Sequence, residues 1–311
     1  MPASVQCELT QRALQRGLGS VYHQLLWEAA QGGLMHNDDT PMKVLELTGL
    51  SKQGLPLRED APERTGVYTT GILSLSDQRP TIVLFFTGPF HAGENLRTLL
   101  EQRLEELGPP KHMCDALSRN LPAGFQTVLG NCLGHARRNF VDVVDAFPQE
   151  VRYVLESLRE VYRTDAAARR FKLSDEQRMR LHQRRSQPVM NMLHGWLSEQ
   201  LEQRHVEPNS SLGKAMNYML NHWEKLTRFL HVPGMPLDNN ICERALKMSI
   251  RHRKNSLFYK TQNGAKHGDV YMSLIFSCHQ AGVDPLHYLT EVQRHEEQVK
   301  AAPARWLPWN S

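Results

Sequence analysis

GVYTTGILSLSDQRPTIVLFFT, residues 66–87, decides the fold class. Its first part, residues 66–75, is rich in β-branched and aromatic residues, and Asp77-Gln78-Arg79-Pro80 breaks it. Residues 81–87 then carry TIVLFF, the longest apolar run of the chain. That run is far short of the ~20 apolar residues of a membrane span and has the length of a buried strand. Two strands joined by a tight turn, with further strand candidates upstream at residues 34–37 and 42–47, suggest an antiparallel meander.

Upstream of the meander, Leu9, Leu14, Leu18, Tyr22, Leu25 and Leu26 recur at helical intervals over residues 8–31, and Gly32-Gly33 stops that helix. Downstream, Leu96, Leu99, Leu100, Leu104 and Leu107 mark a helix over 93–107, ended by Pro109-Pro110. Residues 112–116 and 126–131 read as strands, and 135–144 as a helix. A run of strands, then helix, strand, short helix, strand, helix is an order that suits an α/β mixed sheet flanked by helices, as in ribonuclease-H-like folds.

From residue 147 to 232 no strand is legible. Arginines are dense (Arg169, Arg170, Arg178, Arg180, Arg184, Arg185), and 187–203 and 211–229 read as long amphipathic helices. The expected organisation is an N-terminal helical segment (1–31), the first part of a catalytic core (32–146), an all-helical insertion (147–232), the last part of the core (233–298) and an irregular tail (299–311). The last core part holds helices at 239–252 and 266–281.

The composition narrows the class. Charged residues at 23% beside 40% hydrophobic residues argue against global disorder, and a net charge of +4 leans mildly toward polyanionic partners. Five scattered cysteines without a CxxC make a disulfide framework unexpected and point to a reducing cytoplasm. Cys132 and His135 form a CxxH that lacks a second pair with zinc spacing. The N-terminus has no apolar signal region, and no membrane partner is expected.

Three acids stand where such a sheet could gather them. Asp38 or Asp39, in MHNDDTPMKV, sits near the end of the first strand; Asp115 sits on a later strand; Glu243 sits on the helix opened by LDNN. The first and fourth strands of a ribonuclease-H-like sheet are neighbours, so acids on them can converge, and a crossing helix can add a third. Clustered carboxylates repel one another unless a cation neutralises them, and hard oxygen ligands suit Mg²⁺ or Mn²⁺. Two such ions, roughly 3.5–4 Å apart, can stabilise the attacking and leaving oxygens of a phosphoryl transfer. Each acid also has a plain structural reading: a turn at Asp38-Asp39, a helix cap at Asp115, an i,i+4 pair of Glu243 with Lys247. Beside Glu243, Arg244, Lys247 and Arg251 recur at i, i+3 and i+7, and Arg253 and Lys254 follow. This is either a solvated basic helix face or a clamp for a phosphodiester backbone.

LMHNDDTPMKVLEL, NCLGHARRNFVDV and LDNNICERALK…RHRKNSLF occur in this order and resemble the motifs of the bacterial insertion-sequence-66 transposase family. The resemblance spans about residues 30–290. It implies a DDE-type DNA transposase with a ribonuclease-H-like core, an acidic triad on Asp38, Asp115 and Glu243, and two Mg²⁺ or Mn²⁺ ions held by those three side chains. It further implies transposon ends and target DNA as partners, Arg244, Lys247, Arg251, Arg253 and Lys254 as backbone clamps, a homo-oligomer on DNA, accessory transposition proteins, and a cytoplasmic, nucleoid-associated location. Family members are usually longer, with further N-terminal segments, whereas about thirty residues precede the first motif here. A fragment, a shortened copy or a chain that leans on a partner is therefore expected. The alternatives are an inactive DNA-binding remnant that acts as a regulator, and a nuclease that cuts without joining.

Overall fold

A computed structural model describes residues 2–310. In chain order its elements are α1 (Ala3–Ala13), a π-helical turn (Leu14–Leu18), α2 (Gly19–Ala30), β1 (Leu34–Pro41), α3 (Leu45–Lys52), β2 (Tyr68–Ser76), β3 (Arg79–Gly88) and α4 (Ala92–Leu100). Next come β4 (Lys111–Cys114), β5 (Val128–Asn131), α5 (Leu133–Val141), α6 (Pro148–Arg170), α7 (Asp175–Glu202), α8 (Ser211–Asn221) and α9 (Trp223–Leu226). The chain closes with α10 (Asn240–Ser256), α11 (Gln262–Ala281), α12 (Pro285–Arg294) and α13 (Glu296–Ala301). The protein is α/β, and it divides into two compact units. The first takes the residues up to 110, residues 117–127 and those from 241 onward; the second takes 111–116 and 128–240.

In the first unit the expected hairpin forms: β2 pairs antiparallel with β3, and β1 pairs antiparallel with β2. Side chains alternate between the two faces of these strands. One face carries Met35, Ile72, Ile82 and Leu84 into a core with Leu25, Leu96, Leu100 and Leu274. The other carries Leu73, Val83 and Phe85 against Cys242, Ala245 and Leu246 of α10 and Met272 of α11. Each fully buried side chain of this size contributes about 1.5–3 kcal/mol.

The backbone of β3 is satisfied by side chains as well as by β2. Asp269, Ser273 and Ser277 recur every four residues along α11 and so share one face. They accept hydrogen bonds from the amides of Thr87 (2.5 Å), Phe85 (2.9 Å) and Val83 (3.2 Å), alternate residues of the strand. Covered in this way, these N–H groups offer no template for another strand.

The second unit pairs β4 with β5 in parallel, and its elements from Pro148 to Leu230 are all helical. Val151, Val154, Leu158 and Val161 form the buried stripe of α6 and pack with Leu193 and Leu197 of α7, Met216 and Met219 of α8, and Phe140 of α5. Ser174 caps α7 by accepting from the Gln177 amide, and the Gln177 side chain accepts from the Ser174 amide in return. Deeper in, Asp165 of α6 is bonded by Arg178 (2.6 Å), Arg169 (2.9 Å) and His182 (3.3 Å). The other ring nitrogen of His182 meets Ser186 at 2.9 Å.

Three local readings of the sequence are corrected. Residues 42–47 do not form a strand: β1 runs on to Pro41 and α3 begins at Leu45. Met42 and Val44 on either side of Lys43 mimic a strand, but the start of α3 is fixed from far along the chain. The Leu45 and Glu46 amides donate to the Tyr259 and Lys260 carbonyls, and the Glu46 carboxylate accepts from the Gln262 amide. The helix expected over 93–107 ends at Leu100. Arg103 there turns its guanidinium onto the carbonyls of Ala30, Gly32 and Gly108, and only a 3₁₀ turn follows at Glu105–Leu107. Residues 211–229 break into α8, α9 and a 3₁₀ turn rather than one helix.

Candidate active site

Asp38 and Asp39 are adjacent in sequence and sit on opposite faces of β1, because consecutive strand residues alternate. Asp39 lies opposite Thr70, on the face that α4 covers. Its carboxylate is almost wholly buried and meets His91 Nδ1 at 3.0 Å and the Arg119 guanidinium at 3.6 Å. Asp38 lies opposite Gly71, and directly opposed residues of an antiparallel pair share a face. That face is the one on which α10 packs: the Cys242 thiol donates to the Gly71 carbonyl at 3.4 Å, and Leu246 lies over the same glycine. A Cβ on Gly71 would meet Leu246 Cδ2 at 3.0 Å, so a larger residue here would press the Leu246 side chain back by a few tenths of an ångström. Glu243 follows Cys242 in the first turn of α10, where the helix dipole favours negative charge. Asp38 and Glu243 therefore belong to one unit and to one side of its sheet. The Asp38 carboxylate also accepts from the Asp39 amide at 2.8 Å.

Asp115 directly follows β4 and lies in the second unit. It is buried, its carbonyl accepts from Asn131 Nδ2 at 3.2 Å, and Tyr218 of α8 lies nearby. Burial, with a further contribution from the Asp115 charge, pushes the Tyr218 phenol up to about 12. The sequence triad is thus divided, two acids on the first unit and one on the second.

The basic residues of α10 divide as well. Arg244, Lys247, Arg251 and Lys254 are exposed along one side of the helix. Arg253 instead turns onto the end of β1, donating to the Thr40 hydroxyl at 3.2 Å and to the Pro41 carbonyl. It anchors the helix at the strand that carries Asp38. The approach to α10 is also built locally: the Asp238 carboxylate accepts from the Asn240 amide at 3.1 Å, and the Cys132 sulfur accepts from the Asn239 amide at 3.2 Å. Burial pushes the Cys132 thiol up to about 11, so it is a protonated packing group at neutral pH.

Among the described residues no group of three or more His, Cys, Asp or Glu side chains gathers as a ready-made metal cluster. What Asp38 and Glu243 offer is hard carboxylate oxygen, the donor type of Mg²⁺ and Mn²⁺. Sequence reasoning missed Asp269, whose bonds to Thr87 tie α11 to β3. Its signal was the i,i+4 repeat of polar residues Asp269, Ser273 and Ser277 along α11.

Comparison with known proteins adds a family. A family model described as Transposase IS66 family matches residues 2–267. Two relatives from Sinorhizobium fredii (strain NBRC 101917 / NGR234) bear the names "Uncharacterized protein y4jD" and "Uncharacterized protein y4hP". The first is 38% identical over 188 residues, 58% of this chain and 36% of the relative; the second is 30% identical over 190 residues, 57% and 34% respectively. The matched segment spans about a third of each relative's length.

Proposed function

This chain belongs to the IS66 transposase family, and from that premise we propose that it cuts and joins DNA strands by metal-assisted phosphoryl transfer. The observation that carries the reading is the register of Asp38 with Gly71 beneath the first turn of α10, the turn that holds Glu243. Asp38, Asp115 and Glu243 would hold two Mg²⁺ or Mn²⁺ ions. Bound there, the ions supply activation of the attacking oxygen and stabilisation of the leaving 3′-oxygen. The chain's own contribution is positional. Gly71 and Cys242 keep α10 close to the strand, and Arg253 fixes its far end. Arg244, Lys247, Arg251 and Lys254 hold the phosphate backbone as exposed cations. DNA, as transposon end and as target, is the substrate, and the active form is a homo-oligomer assembled on it.

The test is Mg²⁺-dependent nicking and strand transfer on duplexes that carry the element's ends. Asp38→Asn, Asp115→Asn and Glu243→Gln are each expected to reduce nicking to background while DNA binding persists. Asp39→Asn is expected to retain it, since that carboxylate serves His91 and Arg119 on the other face. Full activity in Asp38→Asn would overturn the assignment. Nicking without joined products would reduce the protein to a nuclease, and binding without either would leave a regulator.

A further inference from the structure

A second basic feature lies wholly within the helical unit. Gly134, Arg137, Arg138 and Val141 of α5 face Arg152, Leu155, Arg159 and Tyr162 of α6 across an open cleft of about 820 Å³. The spacing explains the arrangement. Residues 134, 137, 138 and 141 fall on one side of α5, and 152, 155, 159 and 162 on one side of α6, each set at i,i+3/i+4 intervals. The buried stripe of α6, Val151 to Val161, takes the neighbouring side, so the arginines are left at the rim.

The lining holds four arginines and one glutamate, and the Asp238 charge acts on Tyr162 beside it. That glutamate, Glu156, pairs with Arg152 at 2.9 Å. Arg159 has only a long contact to Glu160, 3.8 Å, and Glu160 is held more closely by Arg163, at 2.7 Å. Arg137 is exposed and, among the described residues, has no carboxylate in ion-pair contact. Between the guanidinium groups the lining is apolar, with Val141, Val144, Leu155 and Tyr162. Burial chiefly raises the Tyr162 phenol, and the Asp238 charge adds to it, so the phenol stays protonated.

We propose that this α5–α6 cleft is a binding site for an unpaired segment of a DNA strand. Phosphates lie against Arg137, Arg138 and Arg159, and bases or sugars lie against Val141, Leu155 and Tyr162. Fixed cations alone would suit any polyanion. The apolar floor between them selects a strand whose base faces are open, because a duplex hides those faces in its stack. The volume falls within the roughly 300–1,000 Å³ range of small-molecule sites, which fits a short stretch of nucleotides rather than a duplex. The proposal rests on the reading that the protein acts on DNA and extends it to residues other than the three acids and the exposed basic residues of α10.

The experiment is a salt titration of the full chain in EDTA, so that no cleavage occurs, with a fluorescent oligo(dT) and with a duplex of equal length. Native protein is compared with Arg137→Gln/Arg159→Gln and with Arg16→Gln/Arg294→Gln, which removes the same charge outside the cleft. The cleft variant is expected to show a log Kd against log[salt] slope shallower by about 1.4 for oligo(dT), about 0.7 for each single-strand phosphate that is no longer neutralised. The control is expected to leave the slope unchanged. Cross-linking with 5-iododeoxyuridine oligonucleotides is expected to label peptides within residues 134–162. Equal slopes in the two double variants, absence of oligo(dT) binding, or an effect confined to duplex would each overturn the proposal. So would unchanged oligo(dT) binding alongside abolished binding of polyglutamate, which marks a site for an acidic polypeptide. A chain that binds through the cleft in EDTA but never nicks with Mg²⁺ overturns the catalytic reading alone. A chain that nicks but keeps equal slopes overturns the cleft alone.

Discussion

Asp269 in the first unit and Asp165 in the second are both buried carboxylates that join an element to its neighbour, yet their charge states are set in opposite directions. Asp269 bonds uncharged groups, the Thr87 amide and hydroxyl, and Lys266 contributes only weakly; burial dominates and pushes its carboxyl up to about 7. Burial also raises Asp165, but His182, Arg178 and Arg169 more than offset it and hold the group below the usual carboxylate range. Depth of burial therefore does not fix the charge of an acid; its partners do. The sheet unit uses its acid as a backbone cap that is about half protonated at neutral pH, and the helical unit uses its acid as an ionic tie between α6 and α7.

The largest break in this comparison is Asp165→Ala. It leaves Arg178 and His182 without their carboxylate in a buried place, and a loss of about 3–5 kcal/mol is expected from chemical denaturation at pH 7. A loss below about 1 kcal/mol, the level of a surface pair, would show the network to be peripheral.

A smaller effect separates the two acids by pH. The folded-state pKa of Asp269 lies above its unfolded value, so its contribution is fully present below about pH 4 and is lost as pH rises through about 7. The shift sets an upper limit of roughly 4 kcal/mol on that loss. Asp269→Asn, which keeps acceptor and donor atoms without a charge, is expected to flatten the stability profile between pH 4 and 7, read as the denaturation midpoint at each pH. Tyr22 and Tyr259 feel the Asp269 charge but titrate far above this window, their phenols raised chiefly by burial. An unchanged slope in the variant would assign the pH dependence to another group.

The smallest change is Ser273→Ala, which leaves the Phe85 amide without its acceptor and is expected to cost about 1–3 kcal/mol. Hydrogen exchange should quicken at Phe85 first. Uniform quickening across β3 would mean that α11 packing, and not the hydroxyl, protects the strand.

Legibility followed the clarity of the physical signal. TIVLFF declares a strand because its apolar residues run unbroken, and that strand is found. Residues 42–47 misled because their apolar positions, 42, 44, 45 and 47, fit no single period, and bonds with Tyr259, Lys260 and Gln262 decided the local structure. At the candidate site, Glu243 and its basic neighbours were legible as a helix face. The arginines of α5 were visible too, as ARR in the middle motif. Their convergence with Arg152 and Arg159 was not, since it depends on how α5 and α6 pack.

The sequence by itself determined the α/β class and the family, since each rests on periodicity or on motifs written along the chain. Only the tertiary structure decided which of two adjacent aspartates shares a face with Glu243. Nothing local distinguishes Asp38 from Asp39. A pairing register, Asp38 with Gly71 and Asp39 with Thr70, sends one toward α10 and the other into ion pairs with His91 and Arg119. Register is set by the summed burial of whole strands, and a shift of one residue would exchange the two faces.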